Sequence, residues 1–104
     1  MSRRTYNLHG FENWLVENFY KGVGVPERVE QCPISRFIRT HISTEAGTAL
    51  TFRTTVVVGG IVYNLPKHAR RFVVYLDSRY SCNKPVSGRL ALRAWWITAC
   101  PSKN

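Results

Sequence analysis

Acidic residues almost vanish from the second part of this sequence. Of six Asp and Glu in 104 residues, only Asp77 lies beyond position 45. It shares that stretch with nine cations, Arg53, Lys67, Arg70, Arg71, Arg79, Lys84, Arg89, Arg93 and Lys103. The first 45 positions are nearly balanced, six Lys and Arg against five Glu, so most of the net charge of +9 belongs to the remainder. An excess of one sign, segregated in this way, fits an acidic or polyanionic partner. A basic surface that serves solubility alone is the plainer alternative.

Other scarcities narrow the function. Cysteines number three, Cys32, Cys82 and Cys100. The odd count and wide spacing fit reduced thiols, and with them a cytoplasmic protein, better than a disulfide framework, although a Cys82–Cys100 bridge is conceivable. No CxxC or HxxxH occurs, so no metal site is expected. Gly22-Val-Gly24 has neither a strand before it nor the lysine of a phosphate loop, so no cofactor is expected. No apolar run approaches the ~20 residues of a membrane helix, and no apolar stretch follows Arg3-Arg4 as in a secretory signal. No membrane association is expected.

What is present reads as one basic domain over residues 1–104, with no internal repeat. Its organising stretch is 48–65, TALTFRTTVVVGGIVYNL. Gly59-Gly60 between β-branched runs predicts a two-residue hairpin turn, which needs positive φ at both central positions. That turn sets Val58 opposite Ile61, Val56 opposite Tyr63 and Thr54 opposite Leu65. Leu50 and Phe52 extend the apolar face, while Arg53, Thr55 and Asn64 lie on the other.

Before the hairpin, Phe11, Trp14, Leu15 and Phe19 recur at helical spacing, predicting a helix over 8–21 that starts at Asn7 or His9, stops at Gly22 and covers the sheet. Residues 22–26 read as a linker, and Pro26 as the first residue of a short helix ending at Pro33. Residues 34–46 fit a helix better than a strand, with both open and Gly47 as the stop. Beyond the hairpin, alternation predicts strands over 71–77, with Phe72, Val74 and Leu76 on one face, and 88–100, with Leu90, Leu92, Ala94 and Trp96 on one face. The polar loop 78–87 joins them. The expected architecture is α+β, with N-terminal helices on one face of a four-stranded antiparallel meander.

On that sheet the outward residues would be Arg53, Arg71, Tyr75, Arg89, Arg93 and Trp95, with Arg79, Tyr80 and Lys84 in the adjoining loop. Guanidinium groups fork onto phosphates and aromatic faces stack on bases, so the set points to single-stranded nucleic acid bound without catalysis. An inhibitor, of viral or phage type, docking on an acidic protein surface is the main alternative. Two others are weaker. Arg36 and Arg39 on a helix-turn-helix would read duplex DNA. His41, Glu45, Arg53 and His68 have the residue types of a small ribonuclease. Edge strands 48–58 or 88–100, with Trp95-Trp96, would allow a homodimer.

Overall fold

The structure, a computed structural model, describes residues 3–41, 48–80 and 84–99. In chain order its elements are α1 (Phe11–Glu17), β1 (Gly22–Gly24), α2 (Pro33–His41), β2 (Ala49–Thr51), β3 (Thr55–Val58), β4 (Ile61–Asn64), α3 (Lys67–Arg79), β5 (Val86–Ser87) and α4 (Gly88–Ile97). The class is α+β, as the sequence implies, with four helices and two small antiparallel sheets among the described residues.

The glycine hairpin forms in the expected register. Val58 pairs with Ile61 and Val56 with Tyr63, and Gly59 and Gly60 have φ of 56° and 84°. The strand before it is shorter than expected. Phe52 N–H donates to Thr55 O at 2.8 Å, closing a second turn over Arg53-Thr54, so 48–58 is two strands and not one. Neither turn residue has positive φ, and neither is the glycine or asparagine that announces a turn. The result is a three-stranded sheet in the order β2-β3-β4. Ala49, Thr51, Val56 and Val58 are buried on its inner face, whereas Phe52 sits exposed in the new turn.

The expected strands over 71–77 and 88–100 are helices, and the four-stranded meander does not form. In α3 the buried residues are Ala69, Phe72, Val73 and Leu76, which is helical spacing. Val74, expected inside, is 47% exposed. In α4, Gly88, Ala91, Leu92 and Ala94 are buried, and the Ser87 hydroxyl accepts the Leu90 N–H at 3.2 Å as an N-cap. Leu, Ala and Arg dominate this segment, and all three favour helix. The edge strand 88–100 proposed for dimerisation is therefore absent. The polar loop is also shorter than expected, because α3 takes 78 and 79 and β5 takes 86 and 87.

The N-terminal elements differ in detail. Helix α1 starts after Gly10 and ends at Asn18, which donates back to Trp14 and Leu15 carbonyls. It packs on α4 and α2, while α2 packs on β2 as the sheet's cover. The 22–26 linker is partly β1, paired with β5. No helix follows Pro26; a turn does, with Glu27 at φ 66°. Helix α2 settles 33–41 as helical, while Gly47 lies outside the described residues.

One aromatic ring ties the helices together. Phe11 of α1 is fully buried, with ring centroids at 6.1 Å from Trp14, 5.3 Å from Phe37 of α2, 5.5 Å from Phe72 of α3 and 4.9 Å from Trp95 of α4. Gly88 lets α4 reach this centre. A Cβ there would fall 2.2 Å from Asn18 O and 2.8 Å from Leu15 O, so the helix start rests directly on the end of α1.

Candidate nucleic-acid interface and a charged cleft

Helical geometry redistributes the candidate residues. Arg89 and Arg93 stand one turn apart on α4, both exposed, and Trp96 continues the same strip at 57% exposure. Leu90 and Ile97 flank it, also exposed. At the start of α4, Arg89 N–H bonds Phe19 O and Gly88 N–H bonds Lys21 O. These bonds bring Tyr20, 91% exposed, and Lys21 beside the first arginine. Lys84 is exposed just before β5, which pairs with β1. The outward face of α4 and the end of the α1 segment thus present Lys21, Arg89 and Arg93 with two open aromatic rings.

Trp95 does not belong to that strip. It is half-buried against Phe11, Phe72 and His68, with ring centroids at 4.9, 5.3 and 3.6 Å. On the expected sheet Trp95 faces outward as a stacking platform; in the helix its neighbour Trp96 takes the exposed place. Only the helical period, placing 89, 93 and 96 together, signals this in the sequence.

Arg71, Tyr75 and Arg79 lie on α3. Arg71 donates from Nε to Thr98 O at 2.8 Å and from its terminal nitrogen to Ala99 O at 3.3 Å, capping the end of α4. Arg79 lies 5.2 Å above the Tyr75 ring. Tyr80, half-buried, ends the helix with its N–H on Leu76 O. None of these shares a sheet face with Arg53, which stands in the β2–β3 turn.

Arg53 lines a different feature, a cleft of about 330 Å³ bounded by Glu27, Arg28, Val29, Cys32, Thr51, Phe52, Val73 and Asp77. Asp77 enters it from α3, and its Oδ1 accepts the Glu27 N–H at 2.9 Å. Burial raises the Asp77 pKa, and the Glu27 carboxylate adds to the rise; the Glu27 N–H and Arg53 oppose it. Beneath the cleft, Ser35 donates to Val29 O at 2.6 Å, so Thr51, 2.6 Å away, donates to the Ser35 oxygen. Cys32 lines the same cleft with its thiol buried. Burial pushes that thiol up to about 11, which marks a packed and protonated cysteine instead of a nucleophile.

The candidate acid–base residues lie on separate elements. His41 ends α2 with Nδ1 3.0 Å from Phe37 O and its ring 4.4 Å from the Phe37 ring. His68 on α3 donates Nε2–H to Trp95 O at 2.7 Å. Burial lowers its pKa, and the Arg71 charge lowers it further. Glu45, Cys82 and Cys100 lie outside the described residues. Arg36 and Arg39 of the helix-turn-helix reading are half-buried on α2, and Arg39 reaches Ala49 O at 3.4 Å. Among the described residues no three His, Cys, Asp or Glu side chains gather as a metal site requires, and no helix is long and apolar enough to cross a membrane.

Neither the family models, nor the curated proteins, nor the solved structures contain a match to this chain.

Proposed function

We propose that the chain is a non-enzymatic basic module that binds single-stranded nucleic acid along the outward face of α4. The observation that carries this reading is the strip Arg89–Arg93–Trp96, two exposed guanidinium groups and an exposed indole on one side of one helix. Arginines at this spacing meet successive phosphates, and an open indole offers its face to a base whatever its sequence. Tyr20 and Lys21 extend the same chemistry at the helix start. Asp77, the single acidic side chain after position 45, lies in the cleft and not on the strip.

A second reading rests on Leu90 and Ile97. Exposed aliphatic side chains beside arginines also suit an acidic protein surface, as an inhibitor would need.

Salt dependence of binding to generic oligonucleotides tests the proposal. Replacing Arg89 and Arg93 together by Ala removes two phosphate contacts and flattens the log–log salt slope by about 1.4 units, at about 0.7 per contact on a single strand. Trp96→Ala costs about 1–3 kcal/mol of binding with little change in slope, because stacking releases few ions. Fluorescence anisotropy at several salt concentrations reads both quantities. A double arginine variant with unaltered affinity and slope rules out this interface. Wild-type protein that ignores oligonucleotides but binds an acidic polypeptide selects the second reading.

A further inference from the structure

The cleft between α3 and the β2–β3 turn holds opposite charges that do not meet. Asp77 enters from α3 and Arg53 from the turn, and both line the same space. The guanidinium acts electrostatically on the carboxylate. Among the described residues, however, no ion pair joins Asp77 to Arg53; Asp77 accepts the Glu27 backbone N–H, and Arg28, the other cation lining the cleft, has a partner of its own. Oppositely charged side chains on flexible stems normally close on each other at a surface. Here the Glu27 N–H holds Asp77 while Arg53 stands on the separate β2–β3 turn, and a gap remains. The gap has an apolar floor, Val29, Val73 and the Cys32 side chain, with the exposed Phe52 ring at its mouth. Its volume lies at the small end of the ~300–1,000 Å³ typical of ligand pockets.

Glu27 contributes a second sign of construction. Its φ of 66° places a side-chain-bearing residue in the left-handed region, where the Cβ is crowded against the backbone. That conformation turns its N–H onto Asp77 and holds the carboxylate at the wall of the cleft. Strain retained at a charged recess is a recognised mark of binding sites.

We propose that this cleft binds a small zwitterion, an ammonium-and-carboxylate molecule whose cationic end lies against Asp77 and whose anionic end faces Arg53. A short alkyl spacer would cover the Val29 and Val73 floor, and one dipolar ligand would complete both charges at once. The site is separate from the α4 strip.

A graded series of ω-amino acids tests it: glycine, β-alanine, γ-aminobutyrate and 6-aminohexanoate, titrated into the nitrogen-15-labelled protein. Saturable shifts at the Glu27, Arg53 and Asp77 amides are expected for one preferred chain length, because the charge separation is fixed. n-Butylamine and butyrate, each with a single charge, bind about tenfold or more weakly than the preferred zwitterion, a difference of about 1.4 kcal/mol. Asp77→Asn retains an oxygen for the Glu27 N–H and weakens binding by about tenfold, and the exposed Arg53→Gln does the same. Absence of saturable shifts across the whole series overturns the proposal and leaves a recess filled by solvent. Equal affinity for the single-charge compounds, or undiminished binding by Arg53→Gln, overturns it as well.

Discussion

Phe11 touches an aromatic ring from each of the other three helices, so its loss would open a void that no single neighbour can fill. Phe11→Ala should cost about 3–5 kcal/mol of stability, as buried aromatic truncations do. Trp96→Ala, at an exposed position, should stay within about 0.5 kcal/mol. Urea unfolding of both variants separates the roles of the rings, and equal losses would show that α4 is turned the other way. His68 gives a prediction in pH. Its folded pKa is lowered by burial against Trp95, so the unfolded chain takes up a proton first as pH falls. The stability from neutral His68 is complete above the unfolded value of about 6.5 and is lost as pH drops through the folded one. His68→Gln should therefore decline less than the wild type between pH values of about 7.5 and 5, followed by thermal unfolding. Parallel curves would mean that His68 carries no such linkage.

Among elements, the hairpin was legible because glycine pairs at positive φ leave a local mark in sequence. Helix α1 was legible too, since Phe11 and Trp14, three positions apart, can share a face only at helical period. Helices α3 and α4 were not. In α3, Phe72-Val-Val-Tyr-Leu76 satisfies both periods, and only burial of Val73 over Val74 distinguishes them. In α4 the alternation of leucine and alanine with arginine imitated a strand, although few of its residues favour one. At helical period Trp95 and Trp96 exchange places, and the face expected of the sheet does not form. The Arg53-Thr54 turn carried no glycine and was silent. Gly88 supplies the test at this scale. Glycine at the start of a helix is normally improved by alanine, by up to about 1 kcal/mol. Here the added Cβ meets backbone oxygens of Asn18 and Leu15, which cannot rotate away. Gly88→Ala should instead destabilise by about 1–3 kcal/mol, measured by chemical denaturation. A stabilised variant would place the α1–α4 junction further apart than described.

For the whole molecule, charge dominates. A net +9 on 104 residues repels itself, and raising ionic strength screens that repulsion in the compact state more than in the expanded one. The thermal midpoint should rise between about 0.05 and 0.5 M salt, where the screening length falls from above 10 Å to a few ångströms. A falling midpoint would show that attractive pairs outweigh the excess. The charge asymmetry and the α+β class were both readable from composition and pattern. Where the charge is displayed was not, because that depends on which faces of α3 and α4 turn inward, and packing alone decides it.

The small β1–β5 sheet joins Gly22–Gly24 to Val86–Ser87, across most of the sequence. Trp95, which completes the surroundings of Phe11, comes later still. On a ribosome that releases the chain from its N-terminus, α1 emerges long before either partner exists. Its apolar face must wait, open to water and to other chains, until α4 clears the exit. Pairings between such distant positions also slow the search for the native arrangement. The fold should therefore close only once α4 has emerged, with that helix as the step that commits the rest.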